Sequence, residues 1–315
     1  MLINTVVWFI LVGFIIGTIL GSFLKVLADR SLNNKSFRGR SYCTRCKHTL
    51  AWYDLLPVVS FLILKGRCRY CKDKISVEYL TIEVVMGILV GFLFWQSFKN
   101  FPFPISDFQF QLALSVQNFQ FLVFGLELIF KTFFITVLTV LFLTDLKKMF
   151  IPDRVILPSI IIGVVLNLII TITKIGFLHY ALSQSAIGRL LLPPKSDYFQ
   201  RHVLMIAEPF LLSLLMGILI GGFFLSLIIV TRGKGMGGGD VKLGAFIGVM
   251  LGFPQALFAM VLSFLTGAVL SVGLVLVGKK SFGQTIPFGP FLVLGSLIML
   301  FWGQEIVEWY LHIGR

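Results

Sequence analysis

The chain has 315 residues, of which 57% are hydrophobic and only 13% charged, and its mean hydropathy is +0.95. Soluble domains carry about 25% charged residues, so this composition excludes a water-soluble globular protein. The 27 Lys and Arg residues outnumber the 14 Asp and Glu residues, which gives a net charge of +13. The basic residues cluster between apolar segments, so we attribute the positive charge to membrane topology. We expect no nucleic acid partner.

The apolar segments predict an all-α polytopic membrane protein with about eight transmembrane helices. The predicted spans cover residues 5–26, 79–98, 120–144, 154–173, 208–231, 241–253, 255–278 and 287–304. The first Lys or Arg is Lys25, so the basic start of a cleavable signal peptide is missing. We therefore expect the first helix to be retained, with its N-terminus outside.

The basic residues predict the orientation of these helices. With the N-terminus outside, one side of the membrane receives 20 of the 27 Lys and Arg residues, in segments 25–78, 145–154, 232–242 and 279–286. The positive-inside rule makes that side cytoplasmic. Two longer segments, 99–119 and 174–207, are predicted on the external side of the membrane, and their composition indicates no particular chemistry.

Four cysteines in one polar segment predict a metal site. Cys43 and Cys46 form one CxxC motif, Cys68 and Cys71 form a second, and 21 residues separate the two. This spacing is typical of four-thiolate zinc sites, in which the protein fills all four positions and the ion is structural. A redox CxxC pair and unligated cysteines are the alternatives. We expect zinc to supply much of the folding energy of this small insert.

Two aspartates at predicted helix ends are candidate catalytic residues. Asp145 ends an apolar helix, where the helix dipole disfavours a negative charge, and Asp240 follows a run of glycines. Two carboxylates at a partly dry site share a proton, as in aspartic proteases. Asp240 also fits a plain helix N-cap, and Asp153 fits a first-turn acid after Pro152. The glycines of segment 233–239 admit an extended substrate strand, or form an ordinary flexible loop.

Several further motifs accompany these residues along the chain. They are Gly21-Ser22-Phe23-Leu24 with Arg30, Trp52-Tyr53-Asp54 with Pro57, Lys65-Gly66-Arg67-Cys68, Ile151-Pro152-Asp153, Gly235-Met236-Gly237-Gly238-Gly239-Asp240 with Lys242, and Ile286-Pro287-Phe288-Gly289-Pro290. With these motifs in this order, nearly the whole chain resembles the type IV prepilin peptidases, membrane aspartic proteases of the GxGD class. The resemblance predicts three parts: a first transmembrane helix (1–26), a cytoplasmic four-cysteine zinc insert (27–78) and a transmembrane aspartic peptidase core (79–315).

The resemblance implies that the chain cleaves basic leader peptides from type IV prepilins and type II secretion pseudopilins, at the cytoplasmic face of a bacterial inner membrane. It assigns catalysis to Asp145 and Asp240. It also implies methylation of the new N-terminus with S-adenosylmethionine as the methyl donor. Because a basic leader meets a basic insert, membrane lipids with anionic head groups are expected partners.

The same resemblance suggests residues that bind substrate or cofactor, namely Glu83, Gly237, Gly239 and Lys242. Relatives carry an acid at the position of Glu83, which implies a contact with the substrate amine or with the cofactor's ammonium group. The alternative for Glu83 is a buried acid paired with a basic residue of the insert. Lys25 and Glu78 differ from the residues that relatives often carry, which leaves open how the insert contacts the helices.

Two other classes of protein fit part of the pattern. A noncatalytic zinc-bearing membrane scaffold of a secretion or pilus machine needs the cysteines but has no use for Asp145 and Asp240. A transporter explains the spans and their acids but should show repeated halves, and residues 1–150 and 151–315 show no convincing repeat. The sequence therefore favours the enzyme.

Overall fold

The computed structural model of the protein describes residues 2–33, 35–37, 39–99, 110–184, 186–194, 196–233, 236–278 and 287–312. Gly235, Ile286, Lys279-Lys280 and residues 100–109 of segment 99–119 lie outside these ranges. Within them the chain is helical without a β-strand, which confirms the all-α prediction. The α-helices are α1 (Leu2–Leu32), α2 (Val59–Ile63), α3 (Val77–Lys99), α4 (Phe110–Lys148), α5 (Asp153–Ser183), α6 (Ala186–Leu190), α7 (Tyr198–Val230), α8 (Gly238–Leu251), α9 (Gln255–Leu276) and α10 (Gly289–His312).

In the described residues, seven helices are long and apolar enough to cross a membrane, so the chain is a multi-pass membrane protein. Every predicted span coincides with a helix, and the one predicted span that is not among these seven helices, 241–253, corresponds to α8. With 14 residues, α8 is about 21 Å long, shorter than the roughly 30 Å hydrocarbon core of a bilayer. The count of about eight spans is therefore approximate. Helices α5 and α7 extend beyond their predicted spans into segment 174–207.

The chain divides into two compact units. The first comprises residues 1–101 and 135–152, and the second comprises residues 102–134 and 153–315. The first unit therefore contains α1, the cysteine-bearing insert, α3 and the end of α4. The second contains α5 to α10. The functional division into a first helix, an insert and a peptidase core stays a prediction.

In the first unit, glycines bring α1 and α3 into close contact. Gly13, Gly17 and Gly21 recur every fourth residue of α1, and a Cβ atom at Gly17 would collide with the carbonyl oxygen of Met86 on α3. From the α3 side, a Cβ atom at Gly87 would lie 2.8 Å from the Phe14 ring. Small residues at this spacing let membrane helices approach at backbone distance. This contact fixes α3, and with it Glu83.

In the second unit, α8 packs on α7 through a similar glycine contact. A Cβ atom at Gly248 would lie 2.5 Å from the carbonyl oxygen of Met216, and one at Gly217 would lie 2.6 Å from the Val249 side chain. Phe246 of α8 is fully buried and contacts the Phe134 ring at a centroid distance of 5.5 Å. Helix α8 is therefore held on several sides although it is short, which fixes the direction of its N-terminus.

Candidate functional site

The four cysteines lie together in the first unit. Their Sγ atoms are all within 4.8 Å of one another, and those of Cys43 and Cys71 are 3.8 Å apart. Four thiolates around a zinc ion at about 2.3 Å form a tetrahedron with edges of about 3.8 Å. The donor set and its size therefore fit a structural zinc ion, with Cys43, Cys46, Cys68 and Cys71 as the ligands.

The two CxxC motifs have the same backbone geometry, 25 residues apart. The N–H groups of Cys43 and Cys68 donate to the carbonyl oxygens of His48 (2.9 Å) and Asp73 (2.8 Å). The residue after each motif, Lys47 or Lys72, has a φ of 60° and closes its turn by a hydrogen bond to the first cysteine's carbonyl oxygen. Each motif is thus a preformed knuckle that presents two sulfur atoms in one direction.

The thiols of this cluster have different acidities. Hydrogen bonds from backbone N–H groups, that of Cys46 first, lower the pKa of Cys43 to about 7 even though burial opposes the shift. The backbone N–H of Asp73 acts to lower the pKa of Cys71, but burial and the neighbouring cysteines outweigh it and raise that pKa to about 11. Four thiols this close do not all ionise without a cation, so a divalent ion is the natural counter-charge.

An ion pair inside the insert braces the second knuckle. Asp54 Oδ1 accepts a hydrogen bond from Nε of Arg69 at 2.7 Å, and Oδ2 accepts bonds from the Ala51 N–H and the Tyr70 hydroxyl, each at 3.2 Å. Burial alone would raise the pKa of Asp54, but these bonds outweigh it, and the pKa lies below its usual value. Asp54 thereby connects the short 3₁₀ turn Trp52–Leu55 to the residue after Cys68.

Glu83 connects the insert to α3. Its side chain is only 7% exposed, and its Oε2 atom accepts a hydrogen bond from the backbone N–H of Val58 at 2.7 Å. Val58 is the centre of a tight γ-turn, with φ 61° and ψ −52° and a bond from the Val59 N–H to the Pro57 carbonyl oxygen. This backbone conformation is strained for a β-branched residue. We considered above that Glu83 is a buried acid paired with a basic residue of the insert. Glu83 is buried and does contact the insert, but the donor is a backbone amide and not a basic side chain.

Four charged residues connect α1, α3 and the end of α4. Lys25, which is buried, donates to both carboxylate oxygens of Asp29, at 2.8 and 2.6 Å, and lies 3.3 Å from Glu78. Lys147 of α4 lies 2.6 Å from Glu78 and 3.3 Å from Asp29. Lys25 and Glu78, the two positions that left open how the insert contacts the helices, thus contact each other. Sequence reasoning noticed both departures but missed that they form one network with Asp29 and Lys147.

Asp145 lies in the last turn of α4, with its side chain 6% exposed. The helix ends three residues later at Lys148, because Met149 adopts a φ of 50° and its N–H bonds to the Asp145 carbonyl oxygen at 2.8 Å. Pro152 follows and prevents the helix from continuing. A carboxylate is therefore held below the surface at the end of an apolar span, where the helix dipole opposes its charge.

Asp240 lies in the first turn of α8, where the dipole favours a carboxylate. Gly237 is the N-cap and is exposed, and Gly239 lies one residue before the aspartate. Two residues after it, Nζ of Lys242 contacts Oδ1 of Asp153 at 2.5 Å. Lys242 therefore joins the start of α8 to the start of α5. Asp153 lies in the first turn of α5, as predicted for an acid that follows Pro152.

The fold and these residues define a multi-pass membrane protein with a four-cysteine centre and carboxylates at the ends of apolar helices. Comparison with known families identifies which class this is. Residues 15–97 match the bacterial peptidase A24 N-terminal domain, and residues 132–272 match the type IV leader peptidase family. The chain belongs to the type IV leader peptidase family, which confirms the predicted family and its protease activity.

Known proteins similar to this chain carry the name prepilin leader peptidase/N-methyltransferase. The protein from Bacillus subtilis (strain 168) is 30% identical over 301 residues, which is 95% of this chain and 97% of the relative. That from Aeromonas salmonicida (strain A449) is 28% identical over 86% of this chain and 74% of the relative. That from Stutzerimonas stutzeri is 24% identical over 98% and 95%. No solved structure shows a significant match.

Proposed function

We propose that this protein is a membrane aspartic endopeptidase that removes basic leader peptides from type IV prepilins and pseudopilins, and that it then methylates the new N-terminus. In this proposal Asp145 and Asp240 supply the two catalytic carboxylates. The observation that carries it is the burial of Asp145 at the end of an apolar helix, where neither solvation nor the dipole favours a charge. The scaffold alternative gives no reason to retain such an acid, and the transporter alternative needs a repeat between the two halves of the sequence that we do not find.

The two carboxylates occupy opposite ends of helix dipoles, and this supports a hypothesis about which of them carries the proton that the pair shares. Asp240, in the first turn of α8, holds the negative charge, and Asp145, in the last turn of α4, holds the shared proton. The charged carboxylate accepts a proton from water while that water attacks the carbonyl carbon of the scissile peptide. The protonated carboxyl donates a hydrogen bond to the carbonyl oxygen. The C–N bond then breaks, the leaving nitrogen takes up a proton, and no covalent intermediate forms.

The residues around Asp240 fit the approach of an extended peptide. Gly237 and Gly238 are exposed, and a Cβ atom built at Gly238 would meet nothing within 4 Å. We propose that the backbone at Gly237 and Gly239 borders the substrate strand. Lys242, through its ion pair with Asp153, keeps the start of α8 in place beside that strand.

The active site is proposed to face the cytoplasm of a bacterial cell, in the inner membrane. The proposal is supported by the predicted topology, in which 20 of the 27 Lys and Arg residues share one side of the membrane with Asp145, Asp240 and the cysteines. The positively charged insert also attracts anionic lipid head groups, and these in turn concentrate basic leaders near the site.

Two bound groups complete the proposal. The four cysteines hold a structural zinc ion, which stabilises an insert too small to fold on an apolar core alone. S-adenosylmethionine, when bound, supplies the methyl group for the new N-terminal amine. The relatives are named as N-methyltransferases, which supports the methyl transfer.

A pH–rate profile tests the proposed chemistry. The reconstituted protein is incubated with a prepilin in liposomes, and the rate of leader removal is followed from about pH 4 to pH 9. A pair of carboxylates sharing one proton gives a bell-shaped profile, because either two protons or none on the pair stops the reaction. A rate that stays constant over this range would contradict acid and base catalysis by the pair.

A further inference from the structure

The cysteine-bearing insert exposes a group of large apolar side chains. Residues 55–64 form a run of ten residues without a charged side chain, and the run includes α2. Five of its large side chains are exposed, up to 70% for Ile63. We call these five the apolar patch, and they are Leu55, Leu56, Val59, Leu62 and Ile63. A contiguous apolar patch on a protein surface marks a contact with another protein or with a membrane.

The opposite face of α2 contributes to the fold of the first unit. Ser60, Phe61 and Leu64 line a cavity of about 500 Å³ between the insert and the ends of α1, α3 and α4. Because residues three or four apart share a face of a helix, the patch residues of α2 lie together on the other side. Helix α2 is thus amphipathic. One face completes the packing of the insert, and the other is left for a contact outside it.

The hydrogen bond between Val58 and Glu83 shows how deep the patch lies. The polar ends of the helices are marked by a charge network, which consists of Lys25, Asp29, Glu78 and Lys147. Charged side chains in this number belong at the edge of the hydrocarbon region. Glu83 lies five residues further along α3 than Glu78, a rise of about 7.5 Å toward the opposite side of the membrane. The patch therefore contains a turn that is bound on the hydrocarbon side of the charge network.

Helix α1 gives the same level independently. A Cβ atom at Gly21 would lie 2.9 Å from the Cα atom of Glu83, and Gly21 precedes Lys25 by four residues, or about 6 Å of helix. Glu78 and Glu83 both lean toward the start of α3, because side chains of a helix point back toward its N-terminus. The difference in level therefore holds for their carboxylates and for the amide that Glu83 binds.

The backbone of the patch is suited to a lipid environment. The Ser60 N–H donates to the Leu56 carbonyl oxygen, and the Leu62 N–H donates to that of Val58, each at 3.0 Å. The Val58 N–H, which belongs to the tight turn before α2, donates to Glu83. A turn in water needs no such partner because solvent bonds its amide, whereas a turn in lipid must find its partners within the protein. The buried acid therefore fits a turn that lies away from water.

Residues typical of a membrane interface border the patch. Trp52, three residues before it, is 75% exposed. After it, segment 65–74 contains five basic residues and one acidic residue, and all six are exposed. Tryptophan concentrates at the level of the lipid head groups, and exposed Lys and Arg attract anionic head groups. An apolar surface with this border is typical of a segment that lies in the interface of a bilayer.

We propose that the apolar patch lies in the lipid bilayer, among the acyl chains of the leaflet nearest the cysteines, with Trp52 and segment 65–74 at the level of the head groups. The occupant of this surface is the bilayer itself. A run of ten residues is too short to cross a membrane, so the segment enters and leaves on the same side. The inference goes beyond the proposed function and does not depend on it, because it rests on the fold of the first unit alone.

Charge favours lipid over a substrate as the occupant of the patch. The proposed substrates carry basic leaders, which the basic segment 65–74 repels, whereas it attracts the anionic head groups of lipids. The consequence for the insert is a fixed position on the membrane surface. Cys68 follows α2 by five residues, so the second knuckle is held at the level of the head groups.

Photolabelling of the wild-type protein tests the position of the patch and does not depend on the folding of any variant. The full chain, loaded with zinc, is placed in nanodiscs of phosphatidylethanolamine and phosphatidylglycerol that contain a phospholipid with a diazirine in one acyl chain. After irradiation and digestion, we expect label in residues 55–63 at a yield within threefold of that in α9. We expect at least tenfold less in residues 39–50. Equal labelling of residues 55–63 and 39–50 would overturn the proposal.

A matched pair of aspartate variants tests the contact with the acyl chains. Leu62 belongs to the patch, whereas Phe37 is an exposed apolar residue of the same insert outside it. Because a carboxylate is costly in the hydrocarbon region, Leu62→Asp should reduce the acyl-chain labelling of residues 55–63 at least fivefold. Phe37→Asp should change it less than twofold. Retention of one zinc ion per chain shows that both inserts are folded. A patch that faces water would tolerate Leu62→Asp, so labelling equal to wild type would overturn the proposal.

An added prepilin distinguishes lipid from substrate as the occupant. In a tenfold excess of prepilin, we expect the labelling of residues 55–63 to change less than twofold. A loss of fivefold or more would overturn the proposal and identify the patch as a surface that binds substrate. Leader cleavage is measured in the same nanodiscs. Cleavage without labelling of the patch overturns this inference alone, and labelling without cleavage supports it while contradicting the proposed peptidase activity.

Discussion

The backbone N–H of Val58 donates a hydrogen bond of 2.7 Å to Oε2 of Glu83, and this bond connects the cysteine-bearing insert to a transmembrane helix. Val58 has a φ of 61°, a conformation that costs a β-branched residue about 1–3 kcal/mol. The strain persists because the buried carboxylate has a fixed position on α3. The insert is therefore held at a defined point and not only by its chain connections.

Glu83→Ala should release this contact. Without an acceptor at position 83, the Val58 amide loses its partner, and we expect its hydrogen exchange to accelerate about tenfold, which corresponds to about 1.4 kcal/mol for a buried hydrogen bond. Glu83→Gln keeps an acceptor and should leave the exchange rate near that of wild type. Mass-spectrometric exchange on the reconstituted protein measures both variants. Unchanged exchange in Glu83→Ala would show that other contacts hold the insert.

Removal of zinc should unfold the insert while the transmembrane helices persist. The insert spans about 50 residues, and its two knuckles meet at the four sulfur atoms. A membrane-permeant chelator should therefore make segment 40–75 sensitive to trypsin, which cleaves at its many Lys and Arg residues. Cys46→Ser should reproduce this sensitivity without a chelator. Ser41→Ala is a control that keeps all four ligands, and its insert should stay resistant. An insert that resists trypsin after complete removal of zinc would contradict the structural role of the ion.

The Asp54 carboxylate predicts how the stability of the insert depends on pH. Its folded-state pKa lies below the unfolded value of about 3.9, so the pair with Arg69 contributes fully above that value and is lost as the pH falls through the folded pKa. Asp54→Asn should therefore destabilise the insert at pH 7, and its difference from wild type should be smaller at about pH 3, as the pH approaches the lowered folded-state pKa. Hydrogen exchange at the two pH values measures this difference. Asp73→Asn, which changes an exposed acid of the same insert, should match wild type at pH 7. A difference for Asp54→Asn that is equal at both pH values would contradict the assignment.

The contact between α7 and α8 predicts unequal effects of two glycine substitutions. At Gly248 an added methyl group would lie 2.5 Å from a backbone oxygen of α7, whereas at Gly222 it would meet nothing within 4 Å. Gly248→Ala should destabilise the protein by about 1–3 kcal/mol through overpacking, and it should displace α8 and slow leader cleavage. Gly222→Ala should keep wild-type stability, because alanine favours a helix over glycine. Thermal unfolding in detergent compares the two variants. Equal midpoints would argue against the close packing of these helices.

The sequence predicted well those features that arise from local patterns. Long apolar runs predicted each spanning helix, because a bilayer requires every backbone polar group to bond within its own helix. The two CxxC motifs predicted the thiolate cluster, because the knuckle is built from near neighbours in the chain. The end of α4 after Asp145 also follows from a local signal, Pro152.

Contacts between distant segments were beyond the reach of sequence patterns. The sequence contains no sign that Lys25 and Glu78 lie 3.3 Å apart or that Lys147 joins them. The hydrogen bond between Glu83 and Val58 spans 25 positions and uses a backbone donor, which no side-chain motif encodes. The predicted span 241–253 matches the short length of α8, but it was counted among the eight spans although a helix of 14 residues is shorter than the hydrocarbon core of a bilayer.

Intact-mass spectrometry of a prepilin provides the most direct test of the catalytic assignment. The prepilin is incubated with the zinc-loaded protein in liposomes, and wild type is compared with Asp145→Asn, Asp240→Asn and the control Asp153→Asn, whose amide oxygen still accepts a bond from Lys242. We predict loss of the leader mass with wild type and Asp153→Asn. We predict a rate at least 10³-fold lower with either catalytic variant, because the loss of an acid or base of the pair removes about 4 kcal/mol or more of transition-state stabilisation. With S-adenosylmethionine present, the wild-type product should gain the mass of one methyl group. Leader removal by Asp145→Asn or Asp240→Asn at the wild-type rate would contradict the account.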